Sequence, residues 1–389
     1  MKSNNHLLRS ERTAGLLMIG AMALALTAAN SPLQPIYELI HHTPVHVRFG
    51  PLIIDEPLVV WINEGLMVIF FLLVGLEIKR ELLEGQLRTP ALFALPGLAA
   101  FGGMALPAAI YATINWNDPL LLRGWAIPTA TDIVLALGIL SFFNARIPHS
   151  LKVFLMAVAV FDDIGAVFII GLFYGQELAL FPLTLAAIGG AALVGLNTFN
   201  IVRPAAYVFV GIFLWVSTLK AGIEPALVGV LIGLAVPLRV PGRVGYSPLG
   251  ETERQLRPWG VLCVVPLFAF FNSGVSFSGA QLGTLFNKSS SGIMTGLFFG
   301  KQLGIFVAAW IAVQLRVAQL PDDVSWPQLY GVALLGGIGF TMSLFVSSLA
   351  FTEPSLIQSS RFAILTGSTL SAVTGMIVLY RSTMRRKYG

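Results

Sequence analysis

The chain predicts an all-α polytopic membrane protein of about twelve transmembrane helices. Three observations carry that expectation. Of its 389 residues 56% are apolar and only 11% charged, with a mean hydropathy of +0.80, which leaves too little polar surface for the chain to cover itself in water. The apolar residues come in continuous runs near the ~20 residues a helix needs to cross a hydrocarbon core, without the alternation of a membrane strand. Lys and Arg gather on one side once those runs are drawn as spans.

The spans fall near 14–30, 58–80, 95–114, 121–142, 152–174, 181–199, 205–219, 222–237, 258–272, 292–313, 328–349 and 358–380. The first follows Lys2, Arg9 and Arg12 and ends at Ala28-Ala29-Asn30, letters that a cleavable signal peptide shares. A basic arm and an ordinary first span explain them too, and removing the segment would upset the charge parity described below. The first external loop, 31–57, holds His41, His42, His46 and Arg48 among prolines. These histidines read as unconnected loop residues more readily than as a metal site. Within the loop, Val45 to Ile54 alternates around Gly50 as a β-hairpin does.

The second span ends in Glu77, Arg80, Glu81 and Glu84, and the ninth begins after Glu253, Arg254 and Arg257. Taken alone, both are solvated, charged helix ends. Cys263, the single cysteine, sits in an apolar span and reads as core, leaving no intramolecular disulfide or cysteine-based metal site. Of the 24 Lys and Arg, Lys301 lies inside a span, only Arg48, Arg123, Lys220, Lys288 and Arg361 fall on one side, and all others fall on the opposite side. The positive-inside rule then makes both termini cytoplasmic, as an even span count requires. The pI of about 9.4 reports this topology and implies no nucleic-acid partner. The loops are too short to hold a soluble domain.

The fifth span carries the most telling letters, Phe161-Asp162-Asp163-Ile164-Gly165, in the middle of an apolar run. An acid at the centre of a membrane helix costs roughly 2.5–3.5 kcal/mol on insertion scales, so adjacent acids there point to cation or proton handling. Helix neighbours point about 100° apart and do not both aim at one spot without a backbone adjustment, which predicts different partners for the two.

The fourth and eleventh spans are interrupted, by Pro128-Thr129-Ala130-Thr131-Asp132 and by Gly336-Gly337-Ile338-Gly339-Phe340-Thr341. Each is second in a group of three spans, 95–174 and 292–380, and odd separation gives the groups opposite orientation, the arrangement of an inverted repeat. The same glycines also suit close helix packing. Where half-helices meet, unpaired N–H groups leave positive charge and unpaired carbonyls negative charge. Asp132 is placed to offset the former, and Lys301 in the tenth span to offset the latter or to pair with an aspartate. The intramembrane inventory is then Asp132, Asp162, Asp163 and Lys301, with Thr131 as a neutral oxygen ligand. Three carboxylates against one amine suit one hard monovalent cation, Na⁺ or Li⁺, whereas soft metals would call for Cys or His. Burial and mutual repulsion set protons in competition with that cation. A site that moves only when loaded with one or the other performs antiport. No cofactor is implied beyond the transported Na⁺ or Li⁺ and H⁺.

Asp162-Asp163-Ile-Gly-Ala, Pro128-Thr-Ala-Thr-Asp132-Ile, Gly75-Leu-Glu77-Ile-Lys79-Arg80-Glu81, Gly300-Lys301-Gln-Leu-Gly-Ile and Gly337-Ile-Gly-Phe-Thr-Met-Ser-Leu-Phe345 resemble the NhaA family of sodium/proton antiporters, over almost the whole chain. The resemblance implies electrogenic, pH-regulated exchange across a bacterial inner membrane, with interrupted spans 4 and 11 crossing at mid-membrane. It implies that Asp163 is the principal ion ligand and that Asp162 alternates between the ion site and Lys301. Asp132 and Thr131 would support the crossing. Either Lys301 releases a proton as Na⁺ displaces it from Asp162, or both aspartates carry the protons; the residues leave both routes open. The resemblance further implies that Glu77, Arg80, Glu81, Glu253 and Arg254 belong to a pH-sensing cytoplasmic funnel, and that the hairpin contributes to a homodimer of independently transporting protomers. Better-known members carry histidine at the positions of Glu224, Arg254 and Arg257, so a shifted pH threshold is expected.

Two enzyme classes and a passive channel are disfavoured. An intramembrane aspartyl protease would use Gly-x-Gly-Asp and a prenyltransferase a second Asp-rich motif, neither of which occurs. A channel would show a repeated filter, where this chain has interrupted helices in matching groups.

Overall fold

A computed structural model describes residues 2–49, 52–85, 90–143, 147–175, 179–241, 245–276 and 287–385. Gly50 of the expected hairpin turn, and Arg88, Arg146, Arg243, Arg386 and Lys387 of the basic side, lie outside the described residues. In chain order the elements are α1 (Lys2–Ala29), α2 (Gln34–His42), β1 (Pro44–Phe49), β2 (Leu52–Pro57), α3 (Leu58–Leu83), α4 (Pro90–Asn115), α5 (Pro119–Leu122), which passes into a 3₁₀ segment over Arg123–Thr129, and α6 (Ile133–Ser141). Then come α7 (His149–Phe173), α8 (Leu180–Thr198), α9 (Pro204–Ala221), α10 (Leu227–Ala235), α11 (Pro248–Ser273), α12 (Lys288–Gln314), α13 (Trp326–Gly336), α14 (Phe340–Ala350) and α15 (Pro354–Arg385). Eleven helical stretches among the described residues are long and apolar enough to cross a membrane.

The expected span at 222–237 is helical only in part. There the chain forms only the nine-residue α10, about 14 Å at 1.5 Å per residue, against a core of about 30 Å. Hydropathy overlooks the stops on either side. Gly222 closes α9 in the left-handed region at φ 80°, a conformation glycine adopts without steric cost, and Val236 leaves α10 in extended geometry. A second departure lies in the first loop, where Gln34–His42 is helical. Its Pro35 sits in the first turn, where the missing N–H costs nothing and φ is already helical.

The chain divides into two compact units. Unit 1 comprises residues 1–30, 86–166 and 272–389. Its interior holds the two interrupted spans: 89% of the most apolar window is buried in Pro119–Ser141 and again in Trp326–Ala350, against 17–56% in the other nine stretches. Breaks therefore occur where neighbouring protein, and not lipid, surrounds the backbone. Helices α4 and α12 approach backbone to backbone, since a Cβ on Gly102 would overlap the carbonyl of Gly304 and one on Gly304 the carbonyl of Gly102. Small residues at such a seam are how membrane helices gain packing where no hydrophobic drive separates them from lipid.

Unit 2 comprises residues 31–85 and 167–271. Here α3 and α10 make a similar seam, with a Cβ on Gly75 falling 2.6 Å from the Val230 carbonyl and one on Gly233 2.7 Å from that of Leu72. In the stretch read as a hairpin, β1 and β2 pair antiparallel with Val47 opposite Ile54 and His46 opposite Asp55. Cys263 is exposed, which corrects its reading as core: a membrane helix presents apolar residues outward as well as inward, so an apolar neighbourhood does not imply burial. Among the described residues π segments occur at Trp61–Leu66, Gly260–Val264 and Gly296–Gly300.

Candidate ion site

The two interruptions of unit 1 are built differently and bond to each other. In the first, the 3₁₀ segment contains Pro128 and ends at Thr129, and Ala130 and Asp132 are extended at ψ 153° and 96° before α6 begins. In the second, α13 ends at Gly336 and α14 starts at Phe340, with Gly337, Ile338 and Gly339 between. These glycines also serve packing, as a Cβ on Gly337 would lie 2.6 Å from the Leu297 carbonyl. The Asp132 N–H donates to the Ile338 carbonyl at 2.6 Å, and the Ser343 hydroxyl to the Ile127 carbonyl at 2.7 Å.

Asp132 caps both second halves at once. One carboxylate oxygen accepts from the Leu135 N–H of α6 at 3.0 Å. The other accepts from the N–H and hydroxyl of Thr341, in the first turn of α14, at 3.0 and 2.6 Å. A single buried anion thus meets the positive ends of two half-helices, the stabilising sign at a helix N-terminus. Thr341 is a member of this cluster that the charge inventory omits. Its only sequence signal is a hydroxyl next to a glycine-rich break.

Lys301, completely buried, meets the opposite pole. Its ammonium donates to the Thr129 carbonyl at the end of the 3₁₀ segment and, at 2.6 Å, to Asp162 Oδ2. The same Oδ2 stands 2.6 Å from the Thr131 hydroxyl, which is also 2.8 Å from the Gly336 carbonyl. A hydroxyl carries one proton, so Thr131 donates to one of these oxygens at a time. Asp162 Oδ1 is buried and has no hydrogen-bond partner among the described residues. A buried, unpaired carboxylate oxygen is costly unless something occupies it. Asp163 is also buried and acts electrostatically on Lys301. The structure thus gathers Asp162, Asp163, Thr131 and Lys301, and holds Asp132 one break-width away as the cap. Oxygens of a carboxylate, a hydroxyl and a main-chain carbonyl form the donor set of a hard cation. Among the described residues no group of three or more His, Cys, Asp and Glu is arranged as a metal-holding cluster.

Most of the charged helix ends come together in unit 2. Arg80 reaches Glu253 at 2.9 Å, Glu81 at 3.0 Å and Glu77 at 4.0 Å, and Arg257 reaches Glu253 at 3.6 Å. Arg254 points away and pairs with Glu251 at 2.7 Å in solvent, while Glu84 pairs with Arg239. Glu224 does not join them. It is buried where the chain enters α10, accepts from the Ala226 N–H at 3.3 Å, and feels the charge of Glu64. Glu64, absent from the intramembrane inventory, lies in the π segment of α3. The loop histidines have separate neighbours: His41 lies between the Tyr37 and Phe271 carbonyls at 3.0 and 2.6 Å, and His46 pairs with Asp55 at 2.7 Å.

The family model described as Na+/H+ antiporter 1 matches residues 5–379. The chain is 47% identical over 380 residues to Na(+)/H(+) antiporter NhaA 1 of Syntrophotalea carbinolica, covering 97% of this chain and 96% of that one. It is 47% identical over 380 residues to Na(+)/H(+) antiporter NhaA of Nitratiruptor sp., covering 97% and 98%. With Na(+)/H(+) antiporter NhaA of Maricaulis maris it shares 48% over 375 residues, covering 96% and 92%.

Proposed function

The chain belongs to the Na+/H+ antiporter 1 family, and from that premise we propose that it is a secondary transporter exchanging cytoplasmic Na⁺ or Li⁺ for external protons through the Asp162–Asp163 site. The observation that carries the proposal is the free Asp162 Oδ1 beside a carboxylate oxygen already neutralised by Lys301. With Lys301 and Asp162 paired, the site is closed as an ion pair. A cation drawn to Asp163 and to the free oxygen of Asp162 competes with Lys301 for the same carboxylate. Protons compete for these carboxylates as well, because burial favours their neutral form. Cation and proton therefore exclude each other, and a carrier that reorients only when loaded exchanges one for the other.

Alternating access fits the interrupted helices. Their ends are held by side chains and main-chain oxygens that would exchange partners as the site is loaded, so the spans 95–174 and 292–380 would form an inverted-repeat core in which spans 4 and 11 cross. Exchange would be electrogenic, with more protons entering than Na⁺ leaving. The cluster of Glu77, Arg80, Glu81 and Glu253 would regulate it by pH. The protein would work as a homodimer in a bacterial inner membrane with both termini cytoplasmic. The test is dye-reported ΔpH in proteoliposomes on adding Na⁺, Li⁺ or K⁺ across pH 6–9. Na⁺ and Li⁺ are expected to dissipate ΔpH in the wild type and not in Asp163→Asn. Proton flux in Asp163→Asn equal to wild type, or none with any cation in sealed vesicles, contradicts the reading.

A further inference from the structure

A cleft of ≈ 910 Å³ in unit 1, unused by the exchange just proposed, lies between the segment entering α13 and the last turns of α15, and Asp322, Asp323, Ser325, Tyr380, Arg381 and Ser382 are among its lining residues. It carries both signs of charge. Asp322 and Arg381 are exposed, and neither makes an ion pair of 4 Å or less among the described residues. Asp323 is engaged within the protein, accepting from the Ser150 hydroxyl at 2.6 Å, which ties this wall to the start of α7. The start of α13 is closed by its own chain, as Gln328 Oε1 accepts from the Ser325 N–H at 3.1 Å. What remains is an arginine and a phenol from α15 and a carboxylate from the segment entering α13, all lining the one cleft.

The outward side of α15 continues the cleft. Leu370, Val373, Ile377 and Tyr380 follow one another at helical spacing and are 43, 44, 47 and 50% exposed. Spacings of three and four place them on one face, an apolar track that ends at the cleft mouth. A tyrosine at the end of such a track is where its amphipathic ring meets the headgroup level. On the Lys and Arg asymmetry, this is the cytoplasmic end.

We propose that the cleft binds the headgroup of a zwitterionic phospholipid that carries a phosphate and a primary ammonium, with its acyl chains along the α15 track. Arg381 takes the phosphate by charge-assisted hydrogen bonds, the strongest pairing its planar fork makes, with the Tyr380 hydroxyl as a further donor; the Ser382 hydroxyl is already given to the Leu379 carbonyl at 3.0 Å. Asp322 accepts from the ammonium. A trimethylated ammonium has no N–H to give, and an anionic headgroup without an amine meets two aspartates of like sign. Soluble phosphoethanolamine offers the same polar chemistry, but the apolar track has a partner only in a lipid.

The test uses the full-length protein, delipidated in detergent and examined by native mass spectrometry. One arm holds equal amounts of phosphatidylethanolamine, phosphatidylcholine and phosphatidylglycerol with identical chains, and a second holds O-phosphoethanolamine alone. Phosphatidylethanolamine should be retained about fivefold over each of the others. Arg381→Ala should lower its retention by about as much, and Asp322→Asn should bring phosphatidylcholine level with it while total bound lipid holds. Both variants should keep wild-type Na⁺-dependent proton flux, which shows that they are folded. Equal retention of the three lipids, or a preference unmoved by both substitutions, overturns the proposal. Binding of O-phosphoethanolamine without any lipid preference overturns the lipid as the source.

Discussion

At the scale of single residues, the Lys301–Asp162 pair decides most. Both side chains are buried, and removing one partner of a buried ion pair typically costs 3–5 kcal/mol, roughly, because the survivor keeps an uncompensated charge. Lys301→Ala is therefore expected to destabilise the protein by about that much, and Asp162→Asn to restore much of the loss when combined with it. Thermal melts in detergent of the two single variants and the double variant measure the coupling; strictly additive melts would contradict it. The Arg80–Glu253 cluster, proposed above to regulate exchange by pH, gives a second residue-level expectation. Arg257 contacts Glu253, whereas Arg254 pairs with Glu251 in solvent. Arg257→His should thus displace the pH profile of antiport measurably and Arg254→His little, since only the former puts a group titrating near neutrality against the cluster. Identical profiles for both would show that this geometry does not govern regulation. Asp132, Asp162, Asp163 and Lys301 are legible in the sequence because a charge in an apolar run is conspicuous. Thr341 is not, because a hydroxyl in a membrane span is common and its significance rests on Asp132, 209 positions away in the chain.

At the scale of elements, backbone contact and not side-chain bulk sets the spacing of α4 and α12. Gly304→Leu would force the seam apart at Gly102, where the contacting atoms are backbone and have no rotamer to yield. Overpacking costs typically 1–3 kcal/mol and sometimes more, and here the upper end or loss of folded protein is expected. Gly20→Leu, at a position with open space around it, is the control, and fluorescence size-exclusion chromatography of both separates the cases. The interruption of spans 4 and 11 is readable from Pro128 and from Gly336, Gly337 and Gly339, since proline removes an N–H from the helix ladder and glycine leaves helical geometry at little steric cost. The shortness of α10 is not. Its apolar run is long enough to span, and the left-handed Gly222, the turn through Pro225 and the extended Val236 shorten it. Such stops depend on backbone conformation, to which a hydropathy window is blind.

For the whole molecule, the strong asymmetry of Lys and Arg fixes an expectation independent of any site. A C-terminal green fluorescent protein fusion should fluoresce and a C-terminal alkaline phosphatase fusion should stay inactive, because the positive-inside rule would put the basic side, and the carboxyl end proposed to lie on it, in the cytoplasm. The reverse pattern would invert every assignment of sides made above. The overall class is legible because composition and run length average over hundreds of residues. Which atoms form the site is less so. The oxygens of Thr129, Gly336 and Ile338 belong to the main chain and hold Lys301, Thr131 and Asp132 in place. Deep mutational scanning of this protein will therefore undercount its working parts, because no amino-acid exchange deletes a carbonyl. Altered ion selectivity is reached instead by editing the residues that bend the backbone, so directed evolution should draw its hits from Pro128, Gly337 and Gly339 as well as from the aspartates.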